Sequence, residues 1–199
     1  MQITAAQVRT LRDKTGAGVL DCRKALEEAG GDEAGAIDLL RQKGMAAAAK
    51  KAGRSATEGA VGSYIHAGGK IGVLVEVNCE TDFVAKTPEF QELVKAVAMQ
   101  VAAASPQFVR REDVPEAVLE KEREIYRAQA REQKKPDRVV EKIVEGKLER
   151  YFSEACLLEQ PYIRDPDRTV KELLNELIGK IGENIVIRRF ARYQLGEGG

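Results

Sequence analysis

The single histidine limits the nucleophilic chemistry that this sequence could support. His66 is the only histidine among the 199 residues, so a Ser-His-Asp or Cys-His arrangement would have to use it as the base. It stands beside Ala67-Gly68-Gly69, a turn sequence where shielding from water would be poor. Solvent exposure without a role, or contact with a partner, is therefore favoured over catalysis.

A G-x-G spacing occurs in residues 15–21, TGAGVLD. In dinucleotide sites this spacing follows a strand, and the glycines let the backbone approach a pyrophosphate at the next helix N-terminus. Here a helical pattern precedes the spacing and the third glycine is missing. Gly16 and Gly18 are therefore interpreted as a tight helix-to-helix turn, and no nucleotide cofactor is predicted.

The carboxylates and thiols do not form a recognisable site. Glu80 and Asp82 could support acid–base chemistry, but carboxylates near a strand end usually cap helices or lie in solvent. The three cysteines are odd in number, widely separated and outside any CxxC motif (Cys22, Cys79 and Cys156). This pattern indicates reduced thiols in a cytoplasmic protein. No catalytic residue and no metal ligand is predicted.

The charge balance and the hydropathy pattern exclude further classes. Lys and Arg number 32 and Asp and Glu number 32, so the net charge gives no long-range attraction to a phosphate backbone. Direct nucleic-acid binding is not expected. No apolar run approaches the roughly 20 residues of a membrane-spanning helix, and the residues after Met1 do not resemble a signal peptide.

The first 44 residues have the pattern of three short helices. Thr4 is a predicted N-cap, an apolar stripe stops at Thr15-Gly16 and resumes at Leu20, and Asp32 caps a third helix that is expected to end at Arg41. Residues 45–57 continue a basic, alanine-rich run with little apolar area, which we interpret as a partly helical linker. Residues 1–44 are thus predicted to be a separate N-terminal module.

The remaining residues, 58–199, predict an α+β core. Residues 60–78 alternate as two strands of a hairpin, residues 184–195 read as a third strand, and Thr87-Pro88 begins a helix that ends near Ala104. Apolar residues at helical spacing on either side of Lys134-Lys135-Pro136 predict a long helical hairpin over about residues 113–157. Its narrow stripes must be covered by the sheet domain or by another chain.

Phe83 raises two interpretations. Thr81 or Asp82 can cap a short helical turn after the second strand. Phe83 could then pack back onto the helix that begins at Pro88, as an ordinary hydrophobic staple. Alternatively, Phe83 could point outward to a partner. The pattern alone leaves both interpretations open.

Two motifs resemble the elongation factor Ts family, the guanine-nucleotide exchange factors for elongation factor Tu. LRDKTGAGVLDCRKAL, residues 11–26, is similar to the amino-terminal signature of the family. EVNCETDFVAK, residues 76–86, is similar to its second, more specific signature. Residues 62–78 and 180–190 resemble core segments, so the resemblance covers essentially the whole chain. Val19 and Leu20 depart from the family pattern, because many members carry methionines there.

The resemblance implies a set of partner-binding residues. Thr81, Asp82, Phe83 and Val84 would intrude on the nucleotide-binding domain of elongation factor Tu, in its GDP-bound and nucleotide-free forms, and disturb its magnesium and phosphate site. The first three helices would form a ubiquitin-associated-like module that docks on the same domain.

Further contacts are implied outside the second signature. Within the amino-terminal signature, the contacts are assigned to Arg12, Val19 and Leu20. His66 would lie on the core surface and face another domain of elongation factor Tu.

The resemblance also implies self-association. Long members of the family have a duplicated core, whereas this chain has one copy, so a homodimer is predicted. Two other classes stay open: a translation-associated RNA-binding module using the basic residues 41–54, and a helical dimerisation scaffold. The first lacks stacking aromatic residues in that run, and the second leaves Phe83 without a purpose.

Overall fold

The structure is a computed structural model that describes residues 3–133 and 136–197. The helices, in chain order, are α1 (Ala5–Thr15), α2 (Val19–Glu28), α3 (Glu33–Lys51), α4 (Asp82–Ala85), α5 (Pro88–Ala104), α6 (Glu116–Glu132), α7 (Asp137–Ala155) and α8 (Val170–Ile181). The strands are β1 (Glu58–Ile65), β2 (Ile71–Cys79), β3 (Pro161–Tyr162), β4 (Asp165–Thr169) and β5 (Ile185–Gln194). The predicted α+β class is confirmed.

The three N-terminal helices begin at the predicted signals, and the first two also end at them. The backbone N–H of Gln7 donates to the Thr4 hydroxyl at 3.3 Å, and the Gln7 side chain accepts from the Thr4 N–H at 3.0 Å, which completes a capping box. Gly16 ends α1 with a φ of 65°, a conformation that glycine adopts without strain. One small core joins the helices, made by Val8, Leu11, Cys22, Ala25, Leu26 and Ala36.

The third helix is longer than the sequence predicted. It does not end near Arg41 but continues to Lys51, through most of the segment interpreted as a linker. A Cβ placed on Gly44 would lie 3.7 Å from the Asn175 carbonyl oxygen, and one on Gly179 would lie 3.3 Å from the Gly44 Cα. Helix α8 thus packs closely against α3, a contact that the alanine-rich sequence of α3 does not predict.

The predicted hairpin and third strand form one sheet in the order β1-β2-β5. The His66 N–H donates to the Ile71 carbonyl at 2.9 Å and closes the turn between β1 and β2. Alternate residues of β2, from Val73 to Cys79, are buried. Gly59 permits close strand approach, because a Cβ there would lie 2.1 Å from the Val77 carbonyl oxygen.

The helical hairpin is formed by α6 and α7, as predicted. Its apolar stripes share a core with the preceding loop, made by Val114, Leu119, Ala130, Val140, Val144, Leu148 and Cys156. Phe108 and Phe152 pack against this core. The stripes are therefore covered to a large extent within the chain. The predicted break between the helices falls on Lys134 and Lys135, which lie outside the described residues.

Three elements between residues 158 and 182 were not predicted, namely β3, β4 and α8. β3 and β4 pair antiparallel, with Pro161 opposite Thr169. Helix α8 follows directly and buries Val170, Leu174 and Ile178, which recur every fourth residue. This spacing is an ordinary helix signal, so α8 could have been found from its periodicity.

The chain separates into two compact units. The first combines the N-terminal residues up to Ala60 with Val77–Leu93 and Glu172–Val186. The second combines Val61–Glu76, Val94–Lys171 and the residues from Ile187 onward. The predicted domain boundaries after residues 44 and 57 remain a prediction. The outermost residues of the first and last predicted domains (1, 2, 198 and 199) lie outside the described part of the chain.

Candidate partner-binding surface

The segment from Thr81 to Val84, hereafter the TDFV turn, follows the end of β2. Of the two predicted caps, Thr81 is the one that the structure uses: its hydroxyl accepts from the Val84 N–H at 3.4 Å. The Ala85 N–H then donates to the Thr81 carbonyl at 3.3 Å. These bonds fix the backbone direction at the start of α4.

Phe83 points into solvent. Its side chain is 80% exposed, whereas Phe90, on the first turns of α5, is 0% exposed. The interpretation of Phe83 as a staple that packs back onto α5 is therefore wrong for this structure. At this level of exposure most of the aromatic ring lies outside the packed chain, so it is available to a partner.

Asp82 lies beside Phe83 and is also exposed. Its carboxylate accepts from the Lys86 ammonium at 2.7 Å, one helical turn later. This hydrogen bond is the main reason that the pKa of Asp82 is lowered, and the charge of Lys86 adds to the effect. Asp82 therefore carries a negative charge at neutral pH, immediately next to the exposed ring.

Glu183 and Asn184 hold the TDFV turn in place through hydrogen bonds. The Glu183 carboxylate accepts from the Thr81 N–H at 3.0 Å and from the Thr81 hydroxyl at 2.7 Å. In the reverse direction, the Glu80 carboxylate accepts from the Asn184 N–H at 2.6 Å. We call these four residues the Glu80–Asn184 clasp. The sequence analysis assigned no role to Glu183 and took Asn184 only as the first residue of the third strand, and this place at the start of the strand was the one local signal for the pair.

Cys79 lies at the base of the same turn. Its buried thiol donates to the Thr81 carbonyl at 3.1 Å. Burial raises the pKa of this thiol, and the charge of Glu183 raises it further. A protonated, buried thiol is a poor nucleophile, so Cys79 acts here as a packing and hydrogen-bonding group.

The N-terminal residues implicated by the resemblance are exposed on α1 and α2. Val19 is 54% and Leu20 is 72% exposed at the start of α2. Arg12 and Val19 line one groove, together with Ile3, Ala5, Val8, Arg9, Arg23 and Glu27. The groove combines apolar side chains with three arginines and Glu27, which pairs with Arg23 at 2.9 Å. Arg9 and Arg12 are thus the basic groups that could meet acidic groups of a partner.

His66 belongs to the other compact unit and is exposed at the end of β1. Its Nδ1 lies 3.0 Å from the Tyr64 hydroxyl. The two rings have centroids 6.0 Å apart. The contact orients the imidazole. The ring contact that the described residues provide is thus with a tyrosine, and not with the carboxylate or thiol that a catalytic arrangement requires.

Comparison with known proteins identifies the family. The family model described as Elongation factor TS matches residues 45–197. A relative named elongation factor Ts from Carboxydothermus hydrogenoformans is 67% identical over 196 residues, which cover 98% of this chain and 90% of the relative. The chain belongs to the elongation factor Ts family. Elongation factor Ts of Geobacter sulfurreducens is 65% identical over 198 residues, covering 100% of this chain and 92% of the relative.

Membership of the elongation factor Ts family extends to both parts of the candidate surface. The family model begins at residue 45 and includes the TDFV turn and the Glu80–Asn184 clasp. The N-terminal groove lies outside that match but within the similarity to the relatives, which covers 98% of the chain or more. The resemblance inferred from two short motifs is thereby confirmed.

Residues 3–133 and 136–197 lack two features that would point to other functions. Within these ranges, His, Cys, Asp and Glu side chains form no group of three or more that could hold a metal ion. No helix in the same ranges combines the length and apolar character that crossing a membrane would require.

Proposed function

We propose that this chain is a guanine-nucleotide exchange factor for elongation factor Tu, which acts in the cytoplasm and promotes GDP release so that GTP can bind. Membership of the elongation factor Ts family supports the translation role. The single observation that carries the exchange mechanism is the TDFV turn, where Phe83 is 80% exposed on a backbone fixed by hydrogen bonds. A rigid, exposed aromatic residue can bind at low entropic cost.

The TDFV turn is proposed to displace the magnesium and phosphate contacts of the partner. Phe83 would occupy space in the nucleotide-binding domain of elongation factor Tu, and Val84 would support it from a partly buried position. Asp82 stays ionised because Lys86 lowers its pKa. Its carboxylate would repel phosphate oxygens while attracting the cation that they hold. Magnesium in this mechanism belongs to the nucleotide of the partner.

Separate contacts are proposed to provide most of the affinity. Arg12, Val19 and Leu20 would dock the N-terminal helices on the same domain of elongation factor Tu, and His66 would face a different domain. Tethered contacts of this kind raise the effective concentration of one another.

Nucleotide release requires more binding free energy than one side chain can contribute. A nucleotide held at nanomolar Kd is bound by about 12 kcal/mol, whereas burying one Phe side chain contributes roughly 1.5–3 kcal/mol. Phe83 alone therefore cannot release the nucleotide. Coupling between two ligands is reciprocal, so a factor that weakens nucleotide binding must itself bind nucleotide-free elongation factor Tu more tightly by the same ratio.

The two alternative functions, an RNA-binding module and a dimerisation scaffold, would each require side chains that already make contacts within this chain. Arg41, Lys43 and Arg54, within the basic run that an RNA-binding module would use, each lie within 4.0 Å of a carboxylate, from Glu172, Glu28 and Glu80. The helical hairpin, which a dimerisation scaffold would use, covers much of its apolar stripe within its own unit. The exchange function therefore remains the proposal.

Release of fluorescent GDP from elongation factor Tu tests the proposal. A substoichiometric amount of this protein should accelerate release in a concentration-dependent way, while GDP and GTP stay chemically unchanged. The Phe83→Ala variant should be a poor accelerator at the same concentration. A release rate that is the same with and without the protein, over a wide concentration range, would overturn the exchange function.

A further inference from the structure

The Glu80–Asn184 clasp connects two chain segments that are far apart in sequence. The Thr81 hydroxyl both donates to Glu183 at 2.7 Å and accepts from the Val84 N–H at 3.4 Å. A hydroxyl has one proton and two acceptor lone pairs, so the bond to Glu183 decides where the proton points. A lone pair is then left to face the first turn of α4. The Glu183 carboxylate thus sets the orientation of the cap on which Phe83 stands.

The carboxylate also binds the backbone. The Thr81 N–H donates to the second Glu183 oxygen at 3.0 Å. Two hydrogen bonds from Thr81 to one carboxylate fix both the distance and the relative orientation of the two residues. Hydrogen bonds to an ionised acceptor are also stronger than those between neutral groups. The neighbouring bond from the Asn184 N–H to Glu80 runs in the opposite direction. Residues 80–81 and residues 183–184 therefore hold each other in place where β2 leads into α4.

The clasp is itself held in place. The Asn184 side chain donates to the Arg54 carbonyl at 2.8 Å, and the Arg54 guanidinium lies 3.5 Å from Glu80. Asn184 is only 3% exposed. Because of these contacts, the loop that carries Glu183 does not depend on Phe83 or on a partner for its position.

We infer that Glu183 is a positioning residue for nucleotide exchange: it holds Thr81 so that α4 presents Phe83 in the orientation that reaches the nucleotide site. The inference rests on the proposed exchange function and adds a residue that makes no contact with the nucleotide. Loss of Glu183 leaves the N-terminal groove unchanged, so it lowers the maximal exchange rate and not the affinity for elongation factor Tu.

A four-variant cycle tests the inference: the unmodified chain, Glu183→Ala, Phe83→Ala, and both changes together. For each, the maximal rate of fluorescent GDP release and the half-saturating concentration of the exchange factor are measured. Glu183→Ala should lower the maximal rate about tenfold, equivalent to about 1.4 kcal/mol of barrier, and should change the half-saturating concentration less than about twofold. In the Phe83→Ala background, Glu183→Ala should cause no further loss.

Two controls separate this role from a general loss of structure. Glu89→Ala removes another carboxylate of the same unit, one that lies 3.4 Å from Lys180, and should leave the maximal rate unchanged. Glu183→Gln keeps one acceptor oxygen for Thr81 and should cause a smaller loss, about threefold or less. If Glu183→Ala fails to fold by circular dichroism, Glu183→Gln alone and with Phe83→Ala decides the question by the same comparison.

The outcomes are distinct. A full maximal rate for Glu183→Ala, or an equal further loss when Phe83 is already alanine, would overturn the positioning role. An unchanged rate for Phe83→Ala itself would instead overturn the proposed use of the TDFV turn.

Discussion

At the residue scale, two phenylalanines close together in sequence have opposite environments. Phe83 is 80% and Phe90 is 0% exposed. Sequence patterns could not separate these cases, because a staple and an exposed anchor both place an apolar residue close to a helix cap. The Thr81 cap itself could be predicted from local signals. Its partner Glu183 could not, since the contact joins residues separated by 102 positions.

The two phenylalanines form a matched pair for mutation. Phe83→Ala should reduce exchange at least about tenfold, because a lost anchor in a binding hot spot costs about 2 kcal/mol or more. Its melting temperature should barely change, since no internal cavity is made. Phe90→Ala should instead cost roughly 3–5 kcal/mol of stability. Thermal unfolding and GDP release, both corrected for folded protein, check these results; a large drop in melting temperature for Phe83→Ala would contradict them.

Asp82→Ala should produce a smaller loss of exchange than Phe83→Ala. The carboxylate is exposed and paired with Lys86, so its removal takes away a charge but leaves the apolar anchor and the Thr81 cap in place. The same release assay measures the difference. A loss larger than that of Phe83→Ala would show that charge repulsion, and not the occupied volume, dominates exchange.

At the element scale, most elements with strong local signals were predicted from the sequence, α8 being an exception, and the part of α3 that depends on long-range packing was missed. The N-terminal caps, the β1–β2 hairpin and α5 have such signals. Helix α3 was predicted too short because its alanine-rich half offers little apolar area. The contact between Gly44 and α8, itself missed, supplies the packing that this half requires.

The continuation of α3 changes how the N-terminal contribution should be tested. Deleting residues 1–44 would cut α3 in its middle, at the glycine that approaches α8. A deletion would therefore combine loss of the groove with exposure of α8. Point changes at exposed residues avoid this problem.

Leu20→Ala and Arg12→Ala should each weaken binding to elongation factor Tu without lowering stability. Leu20 is 72% exposed, so its truncation removes partner contacts worth up to about tenfold in Kd and makes no cavity. Met45→Ala, at a residue 50% exposed on α3, is the matched control and should bind normally. A titration with nucleotide-free elongation factor Tu measures the effect. Unchanged affinity for both Leu20→Ala and Arg12→Ala would remove the docking role of the module.

At the scale of the whole molecule, the predicted homodimer could use the helical hairpin, the third strand β5, or both, and the exposure of their apolar side chains distinguishes these surfaces. The helical hairpin covers much of its own stripe, and Ile125 is 39% exposed there. Four apolar side chains on and next to β1 and β5 are more exposed than Ile125: Val61, Ile65, Tyr193 and Leu195 are each 67–77% exposed. Such residues are candidates for burial across a two-fold axis.

The dimer prediction can therefore be divided between the two surfaces. The unmodified chain should sediment as a dimer at tens of micromolar, a concentration on the order of the Kd of a weak dimer. Tyr193→Glu should produce monomer, because it would bury an unpaired charge. Ile125→Glu on the hairpin should leave the dimer intact. A monomer before any substitution would defeat the prediction.

The buried cysteines give this protein its own chemical reporters of local opening. Cys22 lies in the N-terminal core, Cys79 beneath the TDFV turn and Cys156 in the core of the helical hairpin, and all three are buried. Burial raises the pKa of Cys156 to about 11 and also raises that of Cys79. Each thiol should therefore react with iodoacetamide only when its own region opens.

Mass spectrometry of alkylated peptides at pH 8 would give three opening rates from one unmodified sample. Glu183→Ala should accelerate labelling of Cys79 and leave that of Cys156 unchanged. Elongation factor Tu should slow labelling at Cys79 as it covers the TDFV turn. The timing of alkylation would thus follow the exchange surface through its working cycle without an attached dye.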